Sequence, residues 1–233
     1  MDVLVIDIGG SRVKLFSSDA EERQTLVSGP SLRPTELVEQ VQGLTAGWSY
    51  DVISIGYPGS TGPEGPSGDA GNLGEGWIGF DFESAFGHPV RIVNDAAMQA
   101  LGSYEGGRML FLGLGTGLGS TFIAERVIIP LELGCLEHRS GHTLAERLGK
   151  EGLATLGKEA WTHTLHDAVA QLHKSFAADY VVIGGGNAEL VDPLPPGARR
   201  GGNDAAFTGG FRLWDEMLEP HDTPPSHVWR VVW

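Results

Sequence analysis

The feature that most constrains this chain is a pattern that occurs twice: a β-branched run, a glycine turn, then further short strands. Val3–Ile8 runs into Asp7-Ile8-Gly9-Gly10 and is answered by Arg12–Ser17, with residues 23–28 as a third strand. Residues 109–114 run into Gly115-Thr116-Gly117 and are followed by 120–124 and Val127–Leu131. Apolar runs bounded by glycine in this way read as strands of hairpins. Each meander gives way to alternating helical and β patterns. Residues 35–44 place Leu37, Val38, Val41 and Leu44 at helical spacing. Val52–Tyr57 and residues 90–93 read as strands, and 96–104 as a helix with Asp95 as its N-cap. In the second half, helices are predicted over 143–156, 159–176 and 205–217, with a strand at 180–183 running into Gly184-Gly185-Gly186. The order is that of a duplicated α/β protein, with domains 1–106 and 107–233 and a cleft between them.

Bulk properties narrow the function. The chain has 233 residues, 41% hydrophobic and 20% charged, as globular domains do. It contains no apolar run long enough to cross a membrane. Its first residues, Met1-Asp2-Val3-Leu4, lack the basic start of a signal peptide. The single cysteine, Cys135, excludes a disulfide framework. These features predict a cytoplasmic protein with no membrane partner. A net charge of −14 argues against nucleic-acid binding, which needs a basic surface. It leaves room for a small anion held by local donors.

Glycine lets backbone approach a ligand and lets successive N–H groups converge on phosphate oxygens. Two common glycine motifs fail here. A Walker A loop ends in Gly-Lys-Ser/Thr, whereas Gly149-Lys150 and Gly157-Lys158 are each followed by glutamate. A dinucleotide fingerprint opens a helix, whereas Gly113, Gly115, Gly117 and Gly119 recur every second residue and run on into a strand. One glycine turn alone would be an ordinary hairpin. Two at matching places in duplicated halves, with the later triplet, point to a phosphate or nucleotide cleft. Asp7 is then either a turn former or a holder of hydrated Mg²⁺. Lys14 is either a phosphate donor or a solvated strand residue. Asp95, at a strand end ahead of a helix, is a helix cap, a general base, or both.

Together the motifs resemble the ROK family of repressors and sugar kinases. The first phosphate turn is followed in order by Gly56-Tyr57-Pro58-Gly59, Asn72-Leu73, Gly76-Trp77-Ile78-Gly79-Phe80-Asp81 and Val93-Asn94-Asp95-Ala96. Then come Leu114-Gly115-Thr116-Gly117-Leu118-Gly119-Ser120, Glu132-Leu133-Gly134-Cys135-Leu136-Glu137 and Ile183-Gly184-Gly185-Gly186. Among family members the chain is most similar to bacterial polyphosphate/ATP glucokinases. The resemblance implies the actin/hexokinase-like (ribonuclease H-like) fold and a magnesium-dependent hexose kinase using ATP or polyphosphate. It implies Asp95 as general base, with Gly59, Asn72, Asn94, Glu132 and Glu137 around the sugar. Asp7, Gly9, Gly10 and Ser11, with Lys14, match the first phosphate motif. Gly115, Thr116 and Gly117 match the second, and Gly184, Gly185 and Gly186 the turn near adenosine. It allows a homodimer.

The departures are informative. Cys135 stands where the family has a histidine on the sugar, and a thiol is a weak hydrogen-bond partner. It is expected to be a small, partly buried pocket residue. The cysteine cluster of zinc-bearing members is missing, so no structural zinc is expected. With 16 Lys+Arg against 30 Asp+Glu, a nucleotide donor is favoured over a long polyanion. The alternatives are a non-catalytic sugar or nucleotide sensor on the same fold and a kinase for a different sugar. His163, His166 and His173 are expected on a solvated helix face, and the terminal Trp229 and Trp233 in tail packing.

Overall fold

The computed structural model describes residues 1–233 apart from 21, 139, 140, 203, 216–229 and 233. The chain divides into two units. The first comprises Met1–Gly102 with 206–217, and the second Ser103–Ala205 with the described residues near the C-terminus. The change of unit falls a few residues before 106. The helical segment expected in a 107–233 domain returns to the first unit, so that unit is discontinuous in sequence.

In the first unit, β1 (Val3–Ile8), β2 (Arg12–Ser17) and β3 (Gln24–Val27) form an antiparallel meander. α1 (Pro34–Leu44) crosses to β4 (Val52–Tyr57), which lies parallel to β1. A short ribbon, β5 (Thr61–Gly62) and β6 (Gly65–Pro66), and α2 (Phe82–Phe86) lead to β7 (Val90–Asn94), parallel to β4. The sheet order is β3-β2-β1-β4-β7. All six residues of β1 and of β4 are buried, which explains their unbroken apolar pattern. β2 alternates instead, hiding Val13, Leu15 and Ser17 and exposing Arg12 and Lys14.

Helix boundaries follow local chemistry. α1 starts with Pro34, and the Arg33 N–H donates to Glu36 Oε2 at 3.2 Å, while Leu37, Val38 and Val41 face the core. Asp81 caps α2 by accepting the Ser84 N–H at 2.9 Å. α3 (Asp95–Ser103) follows β7 without a loop.

The second unit opens with β8 (Arg108–Leu114), β9 (Leu118–Ala124) and β10 (Val127–Leu131), again an antiparallel meander. A 3₁₀ turn at Leu133–Cys135 and the ribbon β11 (Glu137–His138) and β12 (His142–Thr143) lead into α4 (Leu144–Leu148) and α5 (Lys150–Ser175). β13 (Tyr180–Gly184) pairs parallel with β8, and β14 (Ala198–Arg200) with β13. Strand β15 (Arg230–Val231) adds beyond β10. The order β14-β13-β8-β9-β10-β15 contains the first unit's order in mirror listing, with one strand added. The duplication expected from the sequence is therefore present in topology. α5 carries its break at Gly157, whose φ of 75° and ψ of 161° are non-helical, so the helices expected over 143–156 and 159–176 meet there.

α6 (Ala205–Arg212) belongs to the first unit. A Cβ on Gly209 would lie 1.8 Å from Met98 O, and one on Gly210 would lie 2.5 Å from Val5 Cγ1. The paired glycines that argue against a helix are what bring it down onto β1 and α3. Phe207 packs on Phe16 with ring centroids 5.3 Å apart. Beyond the helix, Trp214 Nε1 donates to buried Ser54 Oγ at 2.9 Å, and Arg91 lies over the Trp214 ring at 4.2 Å. The expected helix over 205–217 ends at Arg212. Residues 216 and 217, Trp229 and Trp233 lie outside the described residues.

Candidate active site

The first unit gathers its candidate residues at one end of the sheet. Asp7 on β1 pairs across β2 with Lys14 and across β4 with Gly56, which in turn pairs with Val93 on β7. Gly56 has no room for a side chain, because a Cβ would lie 2.4 Å from Met98 Cε and 3.5 Å from Asp95 Cα. The row thus runs from the first glycine turn to the start of α3. Asp7 is 5% exposed, and the Lys14 ammonium lies 3.4 Å from its Oδ2. Burial pushes the Asp7 carboxyl above its ordinary value, and Lys14 pulls it back.

Two backbone hydrogen bonds hold the turn. The Gly9 N–H donates to Arg12 O at 3.0 Å, and Ser11 O accepts the Ser28 N–H at 3.1 Å. Among the described residues, neither Gly10 nor Ser11 donates its N–H to a backbone carbonyl in the turn. Two successive unclaimed N–H groups are the raw material of an anion nest.

Asn94, not Asp95, caps α3. Asn94 Oδ1 accepts the N–H groups of Ala96 at 3.0 Å and Ala97 at 3.3 Å, while its Nδ2 donates to Gly59 O at 3.1 Å. The expectation that Asp95 is the cap is corrected: the cap needs a side chain one residue before the first helical turn. Asp95 becomes the first helical residue, half-buried, with Oδ1 accepting the Ala96 N–H at 2.8 Å. Asn94 keeps one amide hydrogen beyond its Gly59 bond. Asn72 is half-buried in the loop after β6. That loop is held by Tyr57, whose hydroxyl donates to Gly68 O at 3.1 Å and accepts the Ala70 N–H at 3.0 Å.

The second unit repeats the arrangement. Gly113 pairs with Gly119 on β9 and with Gly184 on β13, so the turns at Gly115–Gly117 and Gly184–Gly186 are neighbours at one sheet end. Gly185 has φ 80°, and a Cβ there would lie 2.5 Å from Leu114 O. The Asn187 N–H donates to Leu114 O at 3.0 Å. The Gly115 carbonyl accepts the Lys150 N–H at 3.0 Å, and the Asn187 amide approaches it at 3.5 Å. Among the described residues the Thr116 and Gly117 N–H groups reach no backbone carbonyl in the turn. Gly149 closes this packing, since a Cβ would lie 2.4 Å from Thr116 O.

The Glu132–Glu137 segment is fastened by Ser120, which donates to Leu131 O at 2.8 Å and accepts the Leu133 N–H at 3.0 Å. Glu132 therefore projects from between two anchored residues. Glu132, Cys135 and Glu137 are all exposed within this unit. The expected partial burial of Cys135 is corrected: the 3₁₀ turn buries Leu133 and Gly134 and turns the thiol outward. The histidines of α5 also differ from a fully solvated face. His163 is exposed, but His166 Nε2 lies 2.9 Å from Pro193 O and His173 packs beside Gly197.

Sequence reasoning missed Ser120 as an anchor, Gly149-Lys150, Asn187 and the Tyr57 hydroxyl. A Walker A ending is the local pattern that Gly149-Lys150 presents, and that pattern is blind to a glycine needed for close packing. The other contacts join residues 11 to 72 positions apart in sequence and leave no local pattern.

No family model matches the sequence, and no curated protein does. Solved structures match over nearly the whole chain. The inorganic polyphosphate/ATP-glucomannokinase of Arthrobacter sp. strain KM aligns with TM-score 0.75 and 24% identity, covering 89% of this chain and 96% of that one. The chain has the fold of the ROK sugar kinases. A ROK family glucokinase from Streptomyces griseus, in complex with glucose and AMPPNP, gives TM-score 0.72 at 16% identity, covering 91% and 99%. The ROK hexokinase of Thermus thermophilus gives 0.64 at 20%, covering 90% and 96%. The actin/hexokinase-like α/β class expected from the motifs is thus the observed one. No helix among the described residues is long and apolar enough to cross a membrane.

Proposed function

We propose that this chain is a sugar kinase that moves a phosphoryl group from ATP or polyphosphate to a hexose hydroxyl, with glucose, at its terminal hydroxyl, as the favoured acceptor. The observation that carries the reading is the division of labour at Asn94-Asp95. Asn94 takes over the helix cap, and Asp95 begins α3 with its Cα 3.5 Å from where a Cβ on Gly56 would lie, next to the Asp7–Gly56 pair.

In this reading Asp95 accepts the proton of the sugar hydroxyl as its oxygen attacks phosphorus. The N–H groups of Gly10 and Ser11, and of Thr116 and Gly117, receive the phosphate oxygens, since phosphoryl transfer is mostly positioning plus charge stabilisation. Asn72, the remaining Asn94 amide hydrogen, Glu132 and Glu137 orient the sugar, with Gly59 beneath it. Gly184–Gly186 support the adenosine side of a nucleotide donor.

Asp7 fits a hydrated magnesium ion. It is one buried carboxylate whose charged form burial disfavours, with the Lys14 ammonium 3.4 Å from its Oδ2 as partial compensation. Magnesium is commonly held by one or two carboxylates, water and substrate phosphates. Bound there, it would neutralise charge on the donor phosphates.

The test is direct. Purified protein is given a panel of hexoses with Mg²⁺ and either ATP or polyphosphate, and sugar phosphate is measured. Product with at least one pairing is expected, in a cytoplasmic enzyme. A second reading, a non-catalytic sensor, draws on the outward thiol of Cys135. Sugar binding without product from any pairing would select it.

A further inference from the structure

Tyr57 is the last residue of β4 and is 0% exposed. Its neighbour across the ladder on β7 is Asn94. Its hydroxyl is doubly engaged, donating to Gly68 O and accepting from Ala70 N, so it bridges the backbone of the loop that leads to Asn72. Its ring leaves no room at Gly59, where a Cβ would lie 2.7 Å from Tyr57 Cε1. Gly59 O in turn accepts the Asn94 amide. The ring also packs on Trp77, with centroids 5.4 Å apart. One buried phenol thus touches Gly59, fixes the approach to Asn72, and stands beside Asn94.

We infer that Tyr57 is a positioning residue for the acceptor sugar, setting the Gly68–Asn72 loop against the Gly59–Asn94 pair. The inference rests on the kinase reading above, and it deepens that reading by naming what holds the sugar-facing groups in register. A buried hydroxyl that satisfies one carbonyl and one amide cannot be deleted without leaving both unpaired. The ring can be kept while the hydroxyl is removed, so Tyr57→Phe isolates the brace from the core packing. A loop freed in this way loses its fixed relation to Asn94, while Asp95, held by the cap on α3, keeps its place.

The experiment compares wild type and Tyr57→Phe in sugar KM, donor KM and kcat, with sugar affinity by calorimetry and backbone hydrogen exchange over residues 66–73. Sugar KM and the sugar dissociation constant are expected to rise about five- to thirty-fold, with kcat within about two-fold and donor KM unchanged. Exchange should quicken in 66–73 and not in β1 or α1. Val38→Ala, a change in the same core cluster that leaves the Tyr57 hydroxyl bonds in place, should leave sugar KM at the wild-type value. An unchanged sugar KM and affinity in Tyr57→Phe overturns the inference, as does an equal rise in Val38→Ala. A wild type that binds sugar but makes no product sinks the kinase reading alone, and calorimetry on the variant then decides Tyr57. A wild type that binds no sugar overturns both.

Discussion

Asp7 and Asp95 are both carboxylates at strand ends, yet the fold treats them differently. Asp7 is buried beside a lysine that is half in solvent, so its charge is poorly compensated. Because its folded-state proton affinity is raised, the folded chain holds that proton more readily than the unfolded chain. The stability it contributes is complete below the ordinary carboxylate range and is lost as pH rises through the raised value. Asp7→Asn is therefore expected to raise the melting temperature by a few degrees at neutral pH. The gain should vanish near pH 3, and donor turnover should fall sharply throughout. A site that is more stable without its functional group is a familiar trade. Asp95→Asn should cost about 10²–10⁴-fold in kcat, the usual share of a general base, with sugar affinity nearly unchanged. Full activity in that variant would remove Asp95 from the chemistry.

At the scale of elements, the glycines do two different jobs. Gly10 and Gly117 keep their N–H groups out of the turns' backbone bonds, whereas Gly56, Gly149 and Gly185 let one element sit directly on another. Gly185→Ala is the sharpest case, combining a positive φ with a Cβ 2.5 Å from a carbonyl oxygen. It should destabilise the second unit by about 2–4 kcal/mol and weaken donor binding more than sugar binding, read by thermal melts and separate titrations. Glycine-bounded apolar runs made the strands legible in the sequence. The cap of α3 was not, because Asn94-Asp95 offers adjacent residues that can each cap. Only the register of β7 decides which one precedes the first helical turn. Likewise Ser120 reads as a strand residue and proves to be the anchor of Glu132.

At the scale of the whole chain, the first unit is made from two distant segments. Residues 1–102 supply the sheet, but α6 covers Val5, Phe16 and Met98, and Trp214 completes the bonds of Ser54. A fragment of residues 1–102 should therefore fail to fold cooperatively, and joining residues 205–217 to it through a flexible linker should restore a cooperative melt by circular dichroism. An equally sharp melt without the added segment would show that α6 is dispensable. By itself the sequence determined the duplicated strand–turn–strand order, the α/β class and the residue types proposed for phosphate and sugar. Each of these is written in short-range periodicity, glycine placement and motif spacing. Only the tertiary structure decided that Asn94 is the cap, that Cys135 faces outward, that α6 returns to the first unit and that Tyr57 braces the loop before Asn72. The reason is physical: these outcomes depend on burial and hydrogen bonds between residues far apart along the chain, and such contacts leave no periodic trace in the residues that make them.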